Sequence, residues 1–182
     1  MKAIVFYTLL LLVYEATAQK KDTILWVESE RLTWNDFQGE PEARFAVAST
    51  AYDILLNIQQ INQYTMVRVE AVFFKKKSWK KKKWISTEVL NHEQLHFDIV
   101  ELYARKLRKK IAGLKIKKFE QLKNTIQQLY EENDEEMDRF QDLYDEETDG
   151  SMNGEKQREW ELKIAKELKL YQQYAKVLQR VE

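Results

Sequence analysis

The sequence predicts an α+β fold, a small and mostly antiparallel sheet followed by three long helices. Two observations carry that reading. Between Thr23 and Phe74 the apolar residues alternate or fall in short β-branched runs, and after Phe74 they recur at helical spacing over long stretches. With 182 residues the chain suits one domain with a substantial core, and no internal repeat is visible.

The first residues read as a separate unit. "MKAIVFYTLLLLVYEATAQKK" carries Lys2, an apolar run from Ala3 to Tyr14, and Ala16-Thr17-Ala18 ahead of Gln19. That is the layout of a secretory signal peptide with an A-x-A cleavage site, and the run falls short of the about twenty apolar residues a membrane span needs. The expected organisation is a signal peptide over 1–18 and a single domain over 19–182, in a secreted or periplasmic protein. The chain has no cysteine. This excludes a disulfide framework, a thiolate zinc site, a cysteine nucleophile and the lipidated cysteine of a bacterial lipoprotein. Lysine plus arginine and aspartate plus glutamate balance at 30 each, so no net field argues for nucleic acid, and none is expected as a partner.

Each element follows from its local pattern. "TILWV" is a short apolar run, "FAVASTAYDILLNIQQ" mixes alternation with small and β-branched residues, and "YTMVRVEAVFF" alternates so that Val67, Val69 and Ala71 share one side. "LTWNDFQGEPEARF", with Asn35, Asp36, Gly39 and the single proline Pro41, reads as a structured loop between the first two strands. Ser86 or Thr87 can cap a first helix that holds Glu88 in its opening turn and stops at Gly113, after a run of lysines and arginines that suits the negative end of the helix dipole. A second helix is expected from about Lys117 to Tyr144, on a stripe of Phe119, Leu122, Ile126, Leu129, Met137 and Phe140. "DEETDGSMNG" then breaks the pattern. A third helix is expected from about Glu155 to the end of the chain, on Trp160, Ile164, Leu168, Tyr171, Ala175 and Leu178.

The first helix carries "NHEQLHFD", which holds both histidines of the chain. Residues four apart share a helix face, so His92 and His96 can aim at one ion. Glu93, turned by about 100°, reaches a water on that ion rather than the ion. This is the content of H-E-x-x-H, two zinc ligands and a general base that takes a proton from metal-activated water. Two histidines placed at random would fall four apart about one time in a hundred, so chance is a poor account of the spacing. Val89, Val100, Tyr103, Ala104 and Leu107 continue the same broad face and would bury Glu93, a costly placement that a neighbouring cation relieves.

A catalytic zinc takes three protein ligands and keeps one position open. With no further histidine, the third ligand is a carboxylate or is missing. If the second helix folds straight back after Gly113, the level of the histidines falls near Glu131 to Glu136, which makes Glu136 the geometric candidate. The alternative for "YEENDEEMD" is a solvated acidic run. Asp98 points away from His96 and reads as structural, with Glu101 pairing Arg105 one turn on.

"LTWNDFQGEP", Ser78-Trp79 and "LNHEQLHFDIVELYARKLRKK" resemble the bacterial domain-of-unknown-function family numbered nine-two-two, whose members are described as secreted zinc-dependent proteases. The similarity runs from about Leu32 to Trp160. It implies a zincin-like peptidase with His92 and His96 as ligands and Glu93 as base. Members of the family typically continue with Tyr-Asp and then a threonine followed by Asn-His-Gly, whose histidine looks like the third ligand. Here "YDEETDGSMNGEKQREW" matches at Tyr144, Asp145 and Thr148, but the histidine position falls on Gly150. Asp149, one residue earlier, is the preferred substitute, because the glycines and polar residues around it let the segment fold over the active helix. Glu136 and a degenerate site remain as alternatives.

"FFKKKSWKKKKW" places seven lysines between Lys75 and Lys83, interleaved with Trp79 and Trp84. The tract has two readings. One is a solvated loop with its tryptophans packed inward, which the zero net charge favours. The other is a footprint for an anionic envelope surface, with tryptophan at the interface. The functional expectation is a secreted zinc-dependent peptidase acting on a peptide or protein substrate, and its rival is a non-catalytic cell-envelope binding module with a degenerate metal site.

Overall fold

A computed structural model describes residues 22–43 and 46–181. The expected signal peptide over 1–18 lies outside the described residues. The elements in chain order are β1 (Thr23–Leu25), β2 (Ala48–Ser49), β3 (Tyr52–Ile61), β4 (Tyr64–Phe74), β5 (Trp79–Lys80), α1 (Thr87–Ala112), α2 (Phe119–Thr148), α3 (Gly154–Leu170) and β6 (Leu178–Val181), with short 3-10 turns at Trp34–Asp36 and Gln172–Tyr174. This is the α+β order expected, antiparallel strands and then three helices.

Strand β4 is the spine of the main sheet. Its alternation buries Val67, Val69, Ala71 and Phe73 at 0–2 % exposure, which fixes the register because a slip of one residue would turn all four to the other face. Strand β3 pairs with it antiparallel from Tyr52↔Phe73 to Ile61↔Tyr64. Asn62 in the connecting turn takes a φ of 56°, a left-handed conformation that asparagine tolerates. The opposite edge of β4 is shared end to end, with β1 covering Val72 to Phe74 and β6 covering Thr65 to Arg68. Between them the Val69 carbonyl accepts hydrogen bonds from Nε and Nη2 of Arg108 at 3.0 and 2.8 Å. A buried guanidinium thus completes the edge where neither short strand reaches.

Helix α1 lies on this sheet and is itself covered by α2 and α3. Ser86 caps it by accepting from the Val89 amide at 3.2 Å, Glu88 sits in the first turn, Lys109 and Lys110 in the last, and Gly113 ends it, as its sequence predicts. Nearly every residue from His92 to Leu107 is buried. A helix wrapped on all sides must also bury its polar residues, and each has partners. Glu101 accepts from Arg105 Nε at 2.8 Å and Arg108 Nη1 at 2.9 Å. Asp98 accepts from Trp26 Nε1, Arg31 Nη1 and Gln94 Nε2 at 2.8 to 2.9 Å, the structural role expected of it.

Three boundaries differ from the sequence reading. Helix α2 runs on to Thr148, one turn past Tyr144, and closes with Asp149 in the left-handed conformation. Helix α3 stops at Leu170 instead of reaching the end of the chain. After the Gln172–Tyr174 turn the chain becomes β6, because the edge of β4 at Thr65 to Arg68 offers backbone partners that outweigh the tail of the helical stripe. The lysine tract is also not one loop. It contains β5, which pairs with β2, and its turn packs on Gly39, where an added Cβ would stand 2.8 Å from the Lys76 carbonyl oxygen.

Candidate metal centre

The site is built on the second and third turns of α1, inside the stretch that is buried on all sides. His92 and His96 are 4 % and 8 % exposed. Their Nε2 atoms lie 3.2 Å apart. The third group to reach them is Asp145, on the last turns of α2, with Oδ1 at 3.0 Å from His92 Nε2 and 3.1 Å from His96 Nε2. These three atoms form a nearly equilateral triangle. Three ligands of a tetrahedral zinc with bonds of about 2.0–2.1 Å stand about 3.3 Å from one another, so the triangle fits an ion after shifts of a few tenths of an ångström.

The hydrogen bond at the other nitrogen of each ring bears on its tautomer. His96 Nδ1 lies 2.7 Å from Gln141 Oε1, and Gln141 Nε2 donates to the His96 carbonyl at 3.0 Å. That second bond fixes the amide orientation, so Oε1 accepts and the proton sits on Nδ1. His92 Nδ1 lies 3.2 Å from Gln157 Oε1, whose Nε2 donates to Glu161 at 3.2 Å. By the same argument Nδ1 of His92 carries its proton. Both Nε2 atoms then present lone pairs to each other and to a carboxylate oxygen. A cation at the centre, a proton or a metal ion, would relieve that crowding of lone pairs. A proton can satisfy one line of the triangle, whereas a metal ion satisfies all three.

Tyr144 holds the arrangement from behind. Its ring stacks on His92 at 4.6 Å and 22° and meets His96 edge-on at 4.9 Å. Its hydroxyl lies 2.7 Å from Gln157 Oε1. The electrostatics follow from these contacts. Burial alone would lower the pKa of His96, but the hydrogen bond to Asp145 and the charge of Glu93 outweigh it and raise it above 6.5. Burial alone would raise the pKa of Asp145, but either imidazole donates to its carboxylate once Nε2 takes up a proton, and that bonding holds it well below the usual carboxylate range instead.

In front of the triangle is a cleft of about 430 Å³, lined by His92, Glu93, His96 and Asp145 together with Thr50, Tyr52 and the β2 residues Ala48 and Ser49. Glu93 is 5 % exposed. Its Oε2 accepts from Thr50 Oγ1 at 2.7 Å, and Oε1 has no protein partner among the described residues. The base expected from the motif therefore faces the same space as the triangle, with one oxygen held and the other open. Tyr52 lines the cleft with its hydroxyl pKa raised by burial and by the nearby Asp138, Asp145 and Asp142, so it remains a donor.

The structure thus brings together His92, His96 and Glu93 as the motif requires. It places Asp145 beside the imidazoles, where Asp149 was preferred. Asp149 is the exposed left-handed residue that ends α2, one turn beyond. Glu136 is directed elsewhere and pairs with Lys110 at 3.5 Å. Among the described residues, the group able to hold a metal ion is His92, His96 and Asp145. Thr50, Gln141, Gln157 and Tyr144 were not singled out for the site from sequence. For Gln141 a signal is present, since it is a polar residue four positions after Met137 on the buried stripe of α2.

The model of a family described as "Bacterial protein of unknown function (DUF922)" matches residues 63–153, a span that contains β4, α1, α2 and all three members of the triangle. No curated protein and no solved structure matches the chain.

Proposed function

We propose that this chain, which belongs to the DUF922 family, is an exported zinc-dependent peptidase with His92, His96 and Asp145 as the metal ligands and Glu93 as the general base. The observation that carries this reading is the convergence of His92 Nε2, His96 Nε2 and Asp145 Oδ1, with a glutamine oxygen beside each Nδ1. Gln141 and Gln157 put the ring protons on Nδ1, leaving two imidazole lone pairs and a carboxylate oxygen converging within 3.2 Å. Zinc, when bound, supplies Lewis acidity, which makes water nucleophilic near neutral pH and polarises a carbonyl. Thr50 fixes one oxygen of Glu93 and leaves the other to take the proton of the attacking water and pass it to the departing amine. Tyr52 offers a protonated hydroxyl to the oxyanion that develops on the carbonyl. An extended peptide would lie between β2 and the face of α1, which line the cleft.

The test is metal content followed by chemistry. Purified protein is expected to hold one zinc per chain by elemental analysis, lost in the His92→Ala, His96→Ala double variant and weakened by Asp145→Ala but not by Asp149→Ala. Glu93→Gln is expected to keep its zinc and lose hydrolysis of an unstructured protein. Protein that remains metal-free at micromolar zinc would sink the reading, and unchanged hydrolysis by Glu93→Gln would remove Glu93 from it.

A further inference from the structure

The lysine tract divides into two parts that behave differently. In the first, three of the lysines and the aromatic ring are engaged by the fold, and Lys77 lies over the Phe74 ring. Lys75 Nζ pairs with Asp36 at 3.3 Å, Lys76 Nζ pairs with Asp22 at 2.6 Å, and Lys80 Nζ donates to the Trp34 carbonyl. Trp79 is 2 % exposed and belongs to the core. The second part, Lys82 to Ile85, leaves the small sheet through a turn closed by the Trp84 amide on the Lys81 carbonyl at 3.1 Å and ends at the Ser86 cap of α1. Here Lys82 and Lys83 are exposed, and no acidic group pairs with either among the described residues. Trp84 is 61 % exposed and Ile85 39 %. Lys83 Nζ lies over the Trp84 ring at 5.2 Å from its centre.

A tryptophan left mostly in water costs hydrophobic free energy, and this sequence shows at Trp79 that a tryptophan of the same tract can be buried. Two unpaired lysines beside an exposed tryptophan and isoleucine match a lipid surface in both layers. The indole and the aliphatic side chain suit the interfacial region, and the ammonium groups suit anionic headgroups just above it. Single-stranded nucleic acid would use the indole for stacking and has no use for Ile85. It would also be drawn by a basic net charge, which this chain of zero net charge lacks. Among the described residues no helix is long and apolar enough to cross a membrane, so contact through this tip would be peripheral.

We infer that the Lys82-Lys83-Trp84-Ile85 tip is a docking surface for an anionic lipid bilayer. It stands directly before α1, and Val89, one turn into that helix, lines the metal cleft. Docking through the tip holds the mouth of the cleft near the bilayer. The inference does not depend on the metal or on hydrolysis, since lipid binding is read without either.

The experiment is co-sedimentation of the protein with vesicles of phosphatidylcholine and phosphatidylglycerol in equal parts, against vesicles of phosphatidylcholine alone. Binding to the anionic vesicles only is expected, weakening as salt rises. Lys82→Gln and Lys83→Gln are each expected to weaken it about fivefold, and Trp84→Ala to weaken it at least as much, with circular dichroism unchanged. Leu162→Ala, at a still more exposed apolar site on α3, is the control and keeps full binding. Absence of binding at low salt, equal binding to both vesicles, unaltered binding by the Trp84 and lysine variants, or loss in the Leu162 control would each overturn the assignment. Tighter binding to single-stranded DNA than to anionic vesicles would overturn it in favour of a nucleic-acid surface.

Discussion

Thr50 Oγ1 donates a 2.7 Å hydrogen bond to Oε2 of Glu93, across 43 positions of sequence and inside the core. The bond ties the loop between β2 and β3 to α1 and sets the rotamer of the one acidic side chain that the motif makes a base. Replacing Thr50 by valine keeps the shape and removes the donor. The expected result is a kcat lower by about ten- to hundredfold, the equivalent of roughly 1.5–3 kcal/mol for a hydrogen bond to a charged group, with zinc content unchanged. Thr50→Ser should recover most of the loss. Steady-state kinetics beside elemental analysis separates this from a loss of metal.

Gln141 is the acceptor that fixes the tautomer of His96. In Gln141→Leu the buried Nδ1–H loses its partner and the ring is freed to rotate or to move its proton to Nε2. Zinc affinity should fall about 10–100-fold, the usual cost of losing a group that orients a metal-binding histidine. Competition with a chelating dye measures it. An unchanged affinity would mean that the glutamine only fills space.

The triangle also predicts how protons and zinc compete. The folded pKa of His96 lies above 6.5. In metal-free protein the protonated ring therefore adds stability that is fully present below 6.5 and is lost as pH rises through the folded value. Asp145 has a folded pKa below 3.8, so its contribution is present above 3.8 and is lost only as pH falls through the depressed value. With a chelator present, the melting temperature should decline as pH rises from 6.5 through the raised folded value of His96. Zinc binding requires the neutral ring, so the increase in melting temperature that zinc produces should grow over the same range. Differential scanning fluorimetry with and without zinc is the check, and an increment independent of pH would place the metal elsewhere.

Glu101 supports two buried arginines at once, Arg105 and Arg108. Glu101→Ala leaves both guanidinium groups without their carboxylate and is expected to cost about 3–5 kcal/mol, read as a lower urea midpoint. The arginines also hold the Leu168 carbonyl at the end of α3 and the Tyr174 carbonyl ahead of β6. Hydrogen exchange in that segment should accelerate along with the global loss.

Much of this was legible before the fold was known. The alternation of β4, the Ser86 cap and Gly113 stop of α1, and the pairing of His92 and His96 with Glu93 beside them all follow from local periodicity, and local periodicity survives folding. Asp145 was harder. Counting back from a tight turn at Gly113 pointed to Glu136, but residues 113–118 carry the chain onward before α2 begins, so Gln141 and Asp145 stand opposite the histidines instead. The family resemblance matches Asp145 but implies a histidine as ligand, and that position falls on Gly150, five residues later. The final strand was hidden for a similar reason. Its helical stripe is real in sequence, and only the vacant edge of a strand more than a hundred residues earlier gives those residues a better use.

That edge has a consequence for the chain while it is being made. The β3–β4 hairpin can form as soon as Phe74 has emerged, yet the stretch from Thr65 to Arg68 waits for Leu178 to Val181. Until then it presents bare amides and carbonyls that a neighbouring nascent chain could pair with as readily as its own last strand. A message cut short after α3 would encode His92, His96 and Asp145 complete on a protein that clumps.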